Sequence, residues 1–202
     1  MNSIKFENRD VYPSKIVCVG RNYVEHIKEL NNQMPEKMVI FNKPNSAISN
    51  TLKYFSTNHR FEGELCFLIK NREIAAIGFG FDITDKKEQE YAKSKGLPWE
   101  RAKAFDGSAV FSNFIKYSGD LKELSFKLFL NGKLQQEANY DLMIYKPLTI
   151  LKEIESFLSL QDNDIIMSGT PKGVSSYKVG DKFEAIIYQS GKEILKQSWV
   201  AQ

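Results

Sequence analysis

Residues 59–84, HRFEGELCFLIK-NRE-IAAIGFGFDIT, constrain the fold more than any other part of the chain. Two apolar runs flank the polar Asn71-Arg72-Glu73, a pattern that predicts a hairpin of two strands. Alternate side chains of a strand share a face. Glu62 and Glu64 therefore point the same way as Cys66 and Leu68, while Phe61, Leu65, Phe67 and Ile69 fill the other face. Both faces read as buried, which puts two carboxylates at the mouth of a core. The alternative is that the first residues of the strand emerge into solvent, because burying like charges together is costly.

A turn centred near Glu73 sets Asp82 across from Glu64, so that Glu62, Glu64 and Asp82 converge within reach of one ion. Three carboxylates in a half-buried site repel one another into protonation unless a cation joins them. Oxygen-only ligation favours Mg²⁺, Mn²⁺ or Ca²⁺ over Zn²⁺. The competing reading makes Asp82 a helix cap, with Thr84.

Around this hairpin the chain reads as short strands with few helices. KIVCVG (15–20), MVIFNKPNSAI, LSFKLFLNGKLQQEA with its Asn131-Gly132 turn, DIIMSGTPKGV and DKFEAIIYQSGKEILKQSWV are strand segments. RNYVEHIKELNN, capped by Asn22 with Glu25, DITDKKEQEYAKSKGLPW, closed by Gly96 and Pro98, and YKPLTILKEIESFLSL contain helices. Too few helices separate the strands for a doubly wound parallel sheet, so residues 1–202 are expected to form one strand-rich α+β domain.

The 42% hydrophobic and 26% charged residues, with a net charge of +3, describe an ordinary globular chain without a basic block for nucleic acid. No apolar run approaches membrane-spanning length. Cys18 and Cys66, inside apolar strands and without C-x-x-C spacing, suit a reducing cytoplasm.

His26 shares a predicted helix with Glu29 three residues on, a spacing at which a carboxylate can fix the imidazole tautomer and raise its basicity. An incidental helix pair fits the same spacing. His59 reads as a surface residue. Arg21, Lys43, Lys103 and Lys172 lie on turn segments rich in Gly, Pro and small residues, and Lys103, among Ala102, Ala104 and Phe105, reads as a partly buried cation. In SGTPKGV the backbone and Thr170 offer a carboxylate cradle, but the chain has neither a Walker loop nor a complete dinucleotide fingerprint.

Taken in order, VGRNYVEHIKEL, FNKPNSAI, FEGEL, FDIT followed by Gln89, KGLPWERAKAFD, DIIMSGTPKGV and VGDKFEA resemble the fumarylacetoacetate hydrolase family over roughly residues 15–190, closest to its acylpyruvase and oxaloacetate decarboxylase branch. The resemblance implies a mixed β-sandwich roll, a homodimer, and Mg²⁺ or Mn²⁺ held by Glu62, Glu64 and Asp82. It implies a catalytic His26–Glu29 dyad and an active-site Lys103, with Arg21, Gln89 and Thr170 toward a small 2-oxo acid. The expected chemistry is acylpyruvate hydrolysis or oxaloacetate decarboxylation through an enolate. The alternatives are isomerisation or hydration of an unsaturated oxo-diacid, and a non-catalytic carboxylate- or metal-binding homologue. Two departures stand out. The segment before Asp82 is short, a hairpin in place of a small helix, and the family's Thr-Ala-Arg-Asp is here Thr84, Asp85, Lys86, Lys87.

Overall fold

The computed structural model of the chain describes residues 1–25 and 36–202. In chain order, a hairpin of β1 (Ile4–Phe6) and β2 (Arg9–Val11) leads to β3 (Lys15–Gly20), β4 (Val39–Pro44) and the short β5 (Ile48–Ser49). The long strands β6 (His59–Lys70) and β7 (Glu73–Asp85) run into helices α1 (Lys86–Lys95) and α2 (Glu100–Lys103). Strands β8 (Ala109–Phe111), β9 (Ile115–Lys116), β10 (Leu124–Leu130) and β11 (Lys133–Asn139) follow. Helix α3 (Pro147–Glu155) and strands β12 (Ile165–Met167), β13 (Lys182–Gln189) and β14 (Lys192–Val200) complete the chain.

Among the described residues these strands build a mixed sheet in the order β4-β3-β12-β6-β7-β8-β5, with β9 added to β7, and a four-stranded sheet β11-β10-β13-β14. The mixed character comes from two parallel pairs, β12 with β3 and β5 with β8. Residues on the two faces of β6 enter different cores, as alternation requires. Phe61, Leu65, Phe67 and Ile69 join Phe79, Phe81, Phe126 and Phe183 in the core between the sheets. Cys66 and Leu68 join Cys18, Ile165, Met167 and Phe114 on the opposite side, under the β1–β2 hairpin. Both cysteines are free and buried. The β1–β2 hairpin itself was not anticipated from sequence.

The β6–β7 register differs from the sequence expectation. Asp82 pairs with Glu62, and Gly80 lies opposite Glu64. The turn is at Asn71-Arg72, both with positive φ (52° and 63°), and a bulge follows at Leu68/Ile69. This two-residue turn matches strand twist and closes the hairpin earlier than a turn centred on Glu73.

Helix α1 starts where Asp85 accepts a hydrogen bond from the Glu88 N–H (3.1 Å), so neither Asp82 nor Thr84 is its cap. It ends at Gly96, whose left-handed φ of 63° turns its N–H back to the Ala92 and Lys93 carbonyls. The helix expected to begin at Asn22 lies for the most part outside the described residues, but the contacts of the Asn22 side chain are described. Its carboxamide donates to the Ser168 (2.7 Å) and Tyr145 (3.0 Å) carbonyls and accepts from the Tyr145 N–H (2.7 Å). Asn22 thus ties the turn after β3 to the segment after β12.

Candidate active site

Strand β6 carries Glu62 and Glu64 in the part that runs past the end of β12, and β7 sets Asp82 beside them. Strand β12 covers only Cys66–Leu68 of β6; beyond it, the segment 168–175 takes over through side chains as well as backbone. The Ser168 hydroxyl donates to the Leu65 carbonyl (2.7 Å), and the Phe61 N–H to the Ser175 carbonyl (3.1 Å). Between them, Gly63 is served by side chains alone. Its N–H donates to Gln136 Oε1 (2.9 Å), and its carbonyl accepts from the Thr170 hydroxyl (2.9 Å). Gln136 Nε2 completes the knot by donating to Thr170 Oγ1 (2.8 Å) and the Pro171 carbonyl (3.0 Å). Only glycine fits between the two glutamates, since a Cβ on Gly63 would lie 2.8 Å from both Gln136 Oε1 and Phe79 Cζ.

Carboxylate oxygens of Glu62, Glu64 and Asp82 lie within 4.8 Å of one another. Glu64 and Asp82 are buried and Glu62 is half-buried, which decides against the solvent-emergent reading of the strand start. Glu64 Oε2 accepts from the Gly169 N–H at 2.7 Å. Gly169 can deliver it because its φ of 95° suits glycine and a Cβ there would come within 2.9 Å of Asn22 Cβ and the Val19 carbonyl. Glu62 Oε1 accepts from the Thr84 hydroxyl at 3.0 Å.

Two buried lysines balance the acids. Lys103 Nζ lies 2.8 Å from Glu62 Oε2, 2.6 Å from Asp82 Oδ2 and 2.6 Å from Thr84 Oγ1. Lys43, wholly buried on β4, sets its ammonium 2.8 Å from Asp82 Oδ1 and donates to Ser108 Oγ (3.1 Å) and to the Lys103 carbonyl. Burial raises the Asp82 carboxyl, but Lys103 and Lys43 outweigh it and hold the group below the usual aspartate range. Glu64 goes the other way: burial first, then the charges of Asp82 and Glu62, push it well above the usual range. Lys103 rises above the ordinary lysine value, because Asp82 and Glu62 overcome the opposing effect of burial.

A hard divalent cation fits this donor set. Asp82 Oδ1 is buried against the Lys43 ammonium at 2.8 Å, and a carboxylate oxygen with two lone pairs keeps one for a second cation. Glu64 ionises at a cost that an added positive charge would offset. Among the described residues the cluster offers three carboxylates and no imidazole or thiolate, a set that suits Mg²⁺ or Mn²⁺.

The structure brings Glu62, Glu64, Asp82 and Lys103 together. Gln89 is buried on the inner stripe of α1. Arg21 follows β3 with a left-handed φ of 58°, its Nε buried without a hydrogen bond. Thr170 is buried with its hydroxyl proton committed to Gly63. Lys172 is exposed, apart from this cluster of buried lysines. His26 and Glu29 lie outside the described residues. His59 is not on the surface: it stacks on Phe55 (5.1 Å) beside Phe105 (5.3 Å), bonded through Nδ1 to Ser56 Oγ (2.9 Å), and burial lowers its pKa. The residues missed from sequence are Gln136, Thr84 as a ligand-orienting hydroxyl, and Lys43 as a buried counter-ion.

A strand-rich, curled mixed sheet with few helices is a fold this chain shares with one class of proteins. It belongs to the fumarylacetoacetate hydrolase family, whose profile, described as Fumarylacetoacetate (FAA) hydrolase C-terminal, matches residues 15–196. Among individual proteins, it is 35% identical over 193 residues to oxaloacetate tautomerase YcgM of Escherichia coli, covering 85% of this chain and 87% of that one. A solved protein from Oleispira antarctica superposes with a TM-score of 0.92 at 33% identity, covering both chains fully. A fumarylpyruvate hydrolase from Pseudomonas aeruginosa, crystallised with Mn²⁺ and pyruvate, shares the fold with a TM-score of 0.88 at 24% identity, over 99% of this chain and 95% of that one.

Proposed function

We propose that this chain moves protons on, and cleaves bonds beside, the 2-oxo group of small 2-oxo acids, oxaloacetate first, with one Mg²⁺ or Mn²⁺ held by Glu62, Glu64 and Asp82. The observation that carries this reading is the cluster itself, three carboxylates with oxygens within 4.8 Å of one another, Glu64 and Asp82 buried. When bound, the ion supplies Lewis acidity, polarising a 2-oxo group and favouring its enolate. Charge balance agrees. The three acids outnumber Lys43 and Lys103 by one, and a divalent ion turns that deficit into a single positive charge, suited to a dianionic substrate. The relationship to a protein named oxaloacetate tautomerase supports enol–keto proton transfer as the primary reaction.

In this reading Lys103, held by Glu62, Asp82 and Thr84, offsets negative charge developing on the substrate. His26, oriented by Glu29, is the proton carrier. Arg21 and Gln89 contact the substrate. Thr170, its proton committed to Gly63, contacts it only as a hydrogen-bond acceptor. Hydrolysis of an acylpyruvate would add a water deprotonated by His26; decarboxylation would not need one. A homodimer and, from the two buried free thiols, a cytoplasmic location belong to the same reading.

The test is the ultraviolet absorbance of the oxaloacetate enol, followed with and without Mg²⁺ in wild type and Glu64→Gln. Mg²⁺-dependent acceleration that disappears in Glu64→Gln is expected. No acceleration, or the same acceleration in the variant, overturns the reading.

A further inference from the structure

Lys93 lies on the inner side of α1 and has no role in the chemistry above. Lys86, Gln89 and Lys93 fall three and four residues apart, on one helix face, and all three are buried or half-buried while Lys87, Glu90, Tyr91 and Ser94 are exposed. Lys93 Nζ sits over the Trp99 ring at 5.3 Å. Trp99 packs on Phe41 at 5.9 Å, and Phe41 in turn lies under Lys103 Nζ at 5.1 Å. Trp99 and Phe41 thus form an aromatic wall with an ammonium at each end. One ammonium is tied to the acid cluster. The other has no acidic partner among the described residues.

The surroundings of Lys93 are positive. Burial, then the like charges of Lys86, Arg21 and Lys103, pull its pKa down to about 8, with Glu62 the opposing influence. Arg21 approaches from the turn after β3, which Asn22 fastens to Ser168, next to the Gly169 amide that holds Glu64. The Arg21 Nε is buried and without a hydrogen bond. Lys86 and Lys103 have acids of their own, Glu90 for the first and Glu62 and Asp82 for the second. Lys93 and Arg21 make no ion pair with an acid among the described residues, and a carboxylate between those two would offset their mutual repulsion.

We propose that Lys93, with Arg21, is a second anion subsite that takes the distal carboxylate of a 2-oxo diacid and so selects diacids over 2-oxo monocarboxylates. The proposal rests on the functional reading above, in that the 2-oxo carboxylate end is taken to occupy the acid-cluster side. A guanidinium and an ammonium are complementary to one carboxylate, the first as a fork and the second as a point charge. The aromatic wall between the two lysines separates the reacting end from the recognised end.

The experiment is calorimetric titration of the Mg²⁺-loaded protein with malate and with lactate. These stable 2-hydroxy acids share a chelating head and differ by the distal carboxylate. Wild type, Lys93→Met and Lys93→Arg are compared, with Mg²⁺ affinity and thermal midpoint measured for each. Wild type is expected to prefer malate by about tenfold or more, the usual scale of a charge-assisted hydrogen bond. Lys93→Met should erase most of that preference while Mg²⁺ affinity holds, and Lys93→Arg should restore it. Absence of a malate preference in wild type, including failure to bind either acid, overturns the proposal. So does an undiminished preference in Lys93→Met, or an equal loss for both acids, which would make Lys93 a packing residue on Trp99. None of these readouts requires turnover. A protein that selects malate through Lys93 but leaves the oxaloacetate enol untouched would keep the subsite and refute the reaction.

Discussion

Replacing Gln136 with leucine should weaken metal binding although Gln136 touches no ligand oxygen. The side chain holds the Gly63 N–H, Thr170 Oγ1 and the Pro171 carbonyl from a strand of the other sheet. Gly63 is the peptide link between two metal-cluster glutamates, so its pitch sets where both carboxylates aim. Leucine fills similar space but leaves the buried Gly63 N–H without an acceptor, a loss of about 1–3 kcal/mol, with roughly another 1 kcal/mol for the lost donations. A total of about 2–4 kcal/mol is survivable for a domain with a stability of about 5–15 kcal/mol. It should lower the thermal midpoint by roughly 5–15 °C at this chain length. Groups that orient ligands typically govern metal affinity by about 10–100-fold, and that is the loss expected here. Calorimetric Mg²⁺ titration and thermal unfolding are run on the same preparations, with Gln136→Glu as the variant that keeps an acceptor for Gly63. If Gln136→Leu unfolds earlier yet binds Mg²⁺ within about twofold of wild type, far short of the expected range, Gln136 is a stability residue and the link from Gly63 to the carboxylates is wrong.

His26→Ala should cost acylpyruvate hydrolysis about 10²–10⁴-fold in kcat/KM and spare most oxaloacetate decarboxylation, because only hydrolysis needs a deprotonated water; equal losses would refute a water-activating base. Asp164 is buried and held below the aspartate value of 3.8: burial pushes it up, but Lys15, the Gln161 N–H and Ser14 pull harder. Its depressed pKa means that its contribution to stability is complete above 3.8 and disappears as pH falls through the lower folded-state value. Asp164→Asn should therefore be less stable than wild type at neutral pH, with the gap closing below 3.8 in denaturant melts; a gap that persists in acid would contradict this. Sedimentation at micromolar concentration should show a dimer, and a lone species near 23.2 kDa would count against it.

The hairpin and its two-faced packing are legible from sequence because period-two alternation is a local property, and β6 follows it without a break from His59 to Leu68. The turn is less legible. Asn71 and Arg72 both take positive φ, and nothing in Asn-Arg-Glu favours that pair over a turn one residue later. The start of α1 and the partners of Asn22 show the same limit. Asp85 rather than Asp82 starts α1, and Asn22 serves carbonyls more than a hundred residues away, a choice made by packing that no window of sequence contains.

Why the acid cluster is nonetheless anticipated follows from the size of the register error. The expected pairing of Asp82 with Glu64 is displaced by two residues from the observed pairing with Glu62. Side chains repeat every two residues along a strand, so a slip of two keeps each side chain on its face, whereas a slip of one would have sent Asp82 into the phenylalanine core. Glu62 and Glu64 share that face, and a carboxylate opposite either one reaches both. Spacing within one strand thus protects the metal assignment against an error in pairing. The groups that charge and hold the cluster have no such protection. Lys43 is fully buried where a lysine is ordinarily exposed, and Gln136 acts across the sheets from 73 residues away. Both stand in strand segments where only the three-dimensional contact with Asp82 or Gly63 distinguishes them from surface residues. The second shift of meaning is Lys86, in place of the family's arginine: it lies on the Gln89–Lys93 face, 3.7 Å from Glu90, so the cationic character of that helix face survives the departure even though the residue type does not.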